Sequence, residues 1–180
     1  NDGQEQRTRA ARLQTFLARA GFSPGLIDGK PGRKTTIALD EYARAHGITT
    51  PLAVTDEAVL STLGVHEQWT RTCRITEADA ALVTGPIPAD WNERAALAVS
   101  GYESLQELLA ERGWCSQETI AWLNPGVAMA ELKPGDELTI PDVPDAFAPG
   151  SKSALPHPAR IEVELSAKLV RGLDDAGVGR

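Results

Sequence analysis

Asp28, Gly29, Gly32 and Thr35 form a D-G-x-x-G-x-x-T pattern inside a stretch rich in glycine and proline, Leu26 to Thr35. A carboxylate at the head of such a loop accepts amide hydrogens that a tight turn leaves unpaired, and Gly29 takes a backbone conformation closed to other residues. Asn124, Pro125 and Gly126 form a second polar cluster, a compact helix stop, because proline does not extend a helix and glycine accepts positive φ. Residues suited to nucleophilic or metal chemistry are sparse. Cys73 and Cys115 lie in Thr-Cys-Arg and Trp-Cys-Ser, without a neighbouring histidine to draw off the proton as thiolate catalysis requires. His46, His66 and His157 fall at no metal-ligand spacing. The residues therefore predict no catalytic group, no metal and no cofactor. The two thiols are expected either to pair in an oxidising compartment or to remain as free, half-buried groups.

These clusters need elements to hold them. Leu13, Phe16, Leu17 and Ala20 fall on one face of a helix that starts near Gln4 and stops at Gly21. After the loop, Ala38, Leu39, Tyr42 and Ala45 mark a second helix ending at Gly47. Thr55 or Asp56 caps a short third helix carrying Val59, Leu60 and Leu63, closed by Gly64. Further on, Trp69 to Thr76 has the β-branched and aromatic content of a strand. Asp90 is placed to cap a helix with Trp91, Ala95 and Ala98 on one face. Ser104, with Glu107 three residues later, reads as a capping box for a helix burying Leu105, Leu108 and Leu109 and ending at Gly113. Ser116 opens another, with Ile120 and Leu123 inward. Lys133-Pro134-Gly135-Asp136 predicts a type II turn, after which Leu138 and Ile140 alternate with Glu137 and Thr139 as a strand. Trp91 and Trp122 are expected in the core, while Trp114 is open to either assignment.

At 180 residues, 42% hydrophobic and a net charge of −7, the chain has enough apolar content for one mid-sized or two small domains. The acidic balance, with no basic run, argues against nucleic acid and against anionic membranes. No apolar stretch approaches the roughly 20 residues that span a bilayer, so no membrane insertion is expected. The start, without a methionine or an apolar core, is consistent with a mature end whose targeting segment is absent.

The helix, D-G-x-x-G-x-x-T loop, helix, short helix order resembles the three-helix peptidoglycan-binding domain of cell-wall enzymes. Asp28, Gly29, Gly32 and Thr35 match its motif, with Ile27 at the apolar position before it. Pro31 stands where that family usually has an aromatic residue, and Ala43 where it usually has glutamine. The strand, helix, helix, strand order that follows resembles a LysM domain, a module that binds polymers containing N-acetylglucosamine. The match lies at Ser104, Leu105 and Leu108, at Ile120 to Asn124, and at Leu132 to Pro141. This resemblance implies a glycan groove with Tyr102, Glu103 and Ser104 on one side and Asn124, Pro125, Gly126 and Val127 on the other. An insertion, 77–101, enters beside that groove.

Pro141 to Pro158 reads as an extended proline-rich linker. Beyond it Ile161, Val163 and Leu165 alternate with Glu162 and Glu164, Ser166 to Lys168 turn, and Leu169 to Leu173 return as a hairpin. A lone hairpin is marginal in water and must dock on something. Its sequence resembles the opening hairpin of the L,D-transpeptidase catalytic domain, whose Ser-His-Gly-Cys block is not among these residues. The expected organisation is α+β. It comprises a three-helix domain at 1–64, a LysM-like domain at 65–145, a linker at 146–159 and a hairpin at 160–180. The implied function is a peptidoglycan-binding region of the exported cell envelope or periplasm, recognising glycan strand or stem peptide and targeting an L,D-transpeptidase-type domain to the wall. The alternatives are an interaction module with occluded grooves, or an enzyme using Cys73 or Cys115.

Overall fold

The computed structural model describes residues 2–49, 51–97, 101–144 and 158–177. Along the chain they form α1 (Asp2–Arg19), α2 (Arg33–Ala45), α3 (Glu57–Thr62), β1 (Thr70–Arg74), α4 (Glu77–Ala80) and α5 (Trp91–Ala95). These are followed by α6 (Leu105–Arg112), α7 (Gln117–Leu123), a 3₁₀ turn at Met129–Glu131, β2 (Glu137–Pro141), β3 (Arg160–Glu164) and β4 (Leu169–Leu173). The architecture is α+β, as the sequence predicts. Ala98 and His157 lie outside the described residues, as does nearly all of the expected linker.

The chain divides into two compact units, Asn1–Trp69 with Val143–Arg180, and Thr70–Asp142. The first boundary falls a few residues beyond the expected 64/65. The C-terminal hairpin, expected as a separate element, groups with the three helices.

In the first unit the apolar stripes of the three helices meet in one core. Leu13, Leu17, Phe22, Leu39 and Leu60 are buried there, and Phe16, Tyr42 and Val59 pack partly buried against it. Each large side chain so buried stabilises the unit by about 1.5–3 kcal/mol. The three helix ends share one solution. In each, the residue after a left-handed glycine donates its amide back to the last turn: Phe22 to Leu17, Ile48 to Ala43 and Val65 to Leu60, at 2.8–2.9 Å. Those three residues are apolar, so the bond that ends the helix also turns a side chain toward the core.

β3 and β4 pair antiparallel with Val163 opposite Val170 and Glu162 opposite Arg171. The hairpin docks through one face only. Leu173 is buried, and Arg171 reaches Glu41 on α2 with Nε–Oε2 at 2.8 Å and Nη2–Oε1 at 2.9 Å. The Arg171 guanidinium holds the Glu41 carboxyl down to about 2. Ile161, Val163, Leu165 and Val170 stay exposed, Leu165 by 83%.

The second unit pairs β1 antiparallel to β2 with Cys73 opposite Leu138, and α6 and α7 pack between them in sequence. The turn at Lys133–Asp136 is type II: Gly135 has φ 97° and the Asp136 amide donates to Lys133 O at 3.2 Å. Its far side is tied to the end of β1, since Gly135 N donates to Ile75 O and Ile75 N donates to Asp136 O. Ser104 caps α6 through the Glu107 amide, but the Glu107 carboxylate reaches back to the Glu103 amide rather than to that of Ser104. The helix does not end on a left-handed glycine. Trp114 takes that conformation, φ 50°, with Cys115 N donating to Ala110 O. Gly113 serves a different purpose, because a Cβ there would lie 2.9 Å from Pro141 Cδ.

The insertion is pinned rather than packed. Thr76 and Asp79 form a reciprocal capping box at α4, and Asp79 pairs with both terminal nitrogens of Arg112 at 2.5 and 3.3 Å. Residues 82–84 bridge to Tyr102, and Asp90 caps α5. Trp91, expected in the core, is instead 79% exposed. The reason is that α5 is a single turn with no buried residue, too short to lay an apolar face on anything, and its shape comes from the Asp90 cap and an Arg94–Pro88 backbone contact. Among the described residues Trp91 stacks with the Arg94 guanidinium, 5.2 Å from its ring centre. Trp122 and Trp114 are half-buried.

Candidate functional site

Asp28, Gly29 and Thr35 converge on one side chain, Gln14 of α1. Its Nε2 lies 3.0 Å from Asp28 Oδ1, 3.2 Å from Thr35 Oγ1 and 3.3 Å from Lys30 O. Its Oε1 accepts from the Asp28 amide at 3.1 Å and the Gly29 amide at 2.9 Å. Asp28 also accepts a turn amide as its place at the head of the loop implies, because its Oδ1 receives the Lys30 amide at 2.9 Å. Gly29 has φ 69°, and a Cβ on it would sit 2.7 Å from Arg7 O of α1. Gly32 stands at the N-cap of α2, with no side chain to cap it, and its carbonyl receives the Thr36 amide. The motif thus clamps a loop onto a helix: its polar atoms point inward, and Thr35 is buried.

Gln14 is the residue that sequence reasoning passes over. It is 1% exposed although it stands among the polar positions of α1. A buried amide survives there because both its oxygen and its nitrogen are paired. Its only signal in the sequence is its place next to the Leu13–Leu17 stripe.

In the second unit the seven groove residues separate by what holds them. The Tyr102 amide and carbonyl pair with Leu82 and Thr84 of the insertion, and its hydroxyl donates to Glu111 at 3.1 Å. Burial, aided by that carboxylate, pushes the Tyr102 phenol up. Glu103 accepts from the Ile87 amide at 3.0 Å. Ser104 is occupied as the cap of α6. Asn124, 9% exposed, clips α7 to β2, for its Nδ2 donates to Ile120 O and Thr139 O, both at 2.8 Å, and its Oδ1 accepts from Thr139 N at 2.7 Å. Pro125, Gly126 and Val127 are exposed. Val127 also opens a cavity of about 310 Å³ whose wall includes Glu131, Leu132, Lys133 and Asp136. So one side of the expected groove is taken up by the insertion, and the other is open at Val127.

Both cysteines are free and buried. Burial pushes the Cys115 thiol up to about 12, which leaves it protonated near neutral pH and a poor nucleophile. Cys73 Sγ lies 3.5 Å from Arg112 Nη1, in the same cluster as Asp79. Among the described residues no group of three histidine, cysteine or carboxylate side chains is arranged to hold a metal ion, and no helix is long and apolar enough to cross a membrane.

The chain is thus an α+β protein whose polar motif residues chiefly hold its own loops in place. No protein-family model matches it, and no curated protein is significantly similar to it.

Proposed function

We propose that this chain is a binding region of the cell envelope that attaches to peptidoglycan and holds a wall-modifying catalytic domain, of the L,D-transpeptidase type, close to its substrate. The observation that carries the reading is the concave rim at Val127–Asp136, on the loop between α7 and β2, which shares Val127 with the groove that the LysM resemblance implies. Val127 and Leu132 offer apolar surface to an acetamido methyl, and Lys133, Asp136 and Glu131 offer polar groups around it, the mixture typical of a small sugar site. The Asp28–Thr35 loop supports the reading through architecture alone, since its polar atoms are engaged by Gln14.

Co-sedimentation with purified sacculi tests it. The protein is expected in the pellet, and Val127→Asp, on an exposed side chain, is expected to move it to the supernatant without loss of fold. Wild-type protein found wholly in the supernatant overturns the reading. One observation favours a second reading, an interaction module with an occluded groove: the hydrogen bonds that bind residues 82–87 to Tyr102 and Glu103. Under it, wild-type protein stays in solution and replacement of 85–97 by a short glycine linker confers binding.

A further inference from the structure

A second concavity, of about 300 Å³, lies in the first unit between α1 and the segment that follows α3. Its volume is at the lower end of the range for small-molecule sites. Arg12, Phe16 and Arg19 stand at helical spacing along one face of α1, and His66 and Trp69 close the other side. None of the lining side chains is acidic, in a protein whose net charge is −7. That local reversal of sign is the first indication of what the cavity takes.

Arg12 is the second. Its side chain is only 11% exposed and is held from two directions, by Glu57 Oε1 at 3.4 Å and Val65 O at 3.2 Å. A guanidinium carries five N–H donors, so Nη1 and Nη2 each keep one for a further acceptor, while the buried Nε has no acceptor among the described residues. A buried donor without a partner costs about 1–3 kcal/mol. That cost falls on Nε, which the fold seals off, whereas an anion entering the cavity meets the remaining N–H groups of Nη1 and Nη2. The two aromatic rings then set the rest of the ligand: Phe16 and Trp69 offer flat apolar surface to the body that carries the charge.

We propose that this cavity binds a small carboxylate-bearing ligand, with Arg12 and Arg19 pairing the carboxylate and Phe16 and Trp69 receiving the attached apolar or sugar body. The site is independent of the glycan rim at Val127, which belongs to the other unit. A carboxylate of this kind comes from a peptide C-terminus or from an acidic sugar.

The test is a titration of the full chain followed by the amide signals of Gly64 and Thr15 and the indole N–H of Trp69. The probes are acetyl-alanyl-alanine and glucuronic acid, each against its neutral counterpart, acetyl-alanyl-alanine amide and glucose. At least one carboxylate is expected to shift those signals with saturation, and the neutral partners are expected to leave them in place. The acid that binds identifies the source. Arg19→Gln, a change on an exposed side chain, is expected to weaken binding about tenfold, the loss of one charge-assisted bond. The proposal is overturned if neither acid shifts the three signals, if the neutral partners shift them equally, or if Arg19→Gln binds as tightly as the wild type. Because the probes are small molecules, this outcome is read separately from retention on sacculi.

Discussion

In the first unit a helix residue, Gln14, sends its amide into the Asp28–Thr35 loop; in the second a loop residue, Asn124, sends its amide into β2 and back to α7. Both amides are buried and paired on oxygen and nitrogen alike. The two units differ in what this leaves at the surface. The clamp in the first unit takes up Asp28 Oδ1, Thr35 Oγ1 and the Asp28 and Gly29 amides, and the side chains the loop leaves exposed are those of Leu26, Lys30, Pro31, Arg33 and Lys34. The clip in the second absorbs Asn124 alone and leaves Pro125, Gly126 and Val127 exposed on the rim of a cavity. A polar motif in a loop is therefore not evidence of a binding surface until its hydrogen bonds have been accounted for.

Removing the amides is the strongest way to break this comparison. Gln14→Ala strands the Asp28 and Gly29 amides together, and with unpaired buried groups costing about 1–3 kcal/mol each the first unit is expected to lose about 4 kcal/mol. Urea denaturation followed by amide exchange at the α1 and α2 signals reads that loss. A loss under about 1 kcal/mol means that water replaces the clamp. Asn124→Ala is expected to cost the second unit about 3 kcal/mol by the same argument, with faster exchange at Thr139 and no change at α1.

Acid sharpens the comparison through the two arginine pairs. Glu41, held by Arg171, and Asp79, held by Arg112, both have folded pKa values of about 2, below their ordinary range. A carboxyl depressed on folding stabilises fully above its unfolded pKa and loses that contribution as pH falls through the folded value. Each pair, after allowance for partial exposure, is expected to contribute about 2 kcal/mol that disappears between about pH 5 and pH 2. The variants Glu41→Gln and Asp79→Asn should each flatten that stretch of the stability-against-pH curve in their own unit only. If either leaves the curve unchanged, the corresponding ion pair is not formed in solution.

The smallest effect is expected at Trp91. With its ring in solvent and Arg94 stacked on it, Trp91→Ala should change stability by less than about 0.5 kcal/mol, against the 3–5 kcal/mol that a core tryptophan costs. Thermal unfolding distinguishes the two outcomes.

Most of the helices, the glycine stops of the first unit, the type II turn and the alternation of β2 were legible in the chain because each depends on residues within a few positions of one another; α4 and the pairing of β2 with β1 were not. Leu13 and Leu17, or Leu138 and Ile140, announce their faces by spacing. Trp91 was misplaced by the same rule, since helical spacing implies burial only when the helix is long enough to find a surface, and α5 is one turn. Gly113 was legible as a helix end, yet its reason lay in Pro141, which approaches only after β2 has folded back.

For the candidate sites the divide is sharper. The sequence by itself determined that Asp28, Gly29 and Thr35 form a tight loop and that Asn124 closes a helix, because backbone preference and local hydrogen bonding decide such features. Only the tertiary structure decided that Gln14 and Thr139 take up their polar atoms, that the insertion hydrogen-bonds to Tyr102 and Glu103, and that Arg12, Arg19 and Trp69 face one cavity. Those outcomes depend on which distant groups meet, and a hydrogen bond is satisfied by whichever partner arrives within about 3 Å, near or far in sequence.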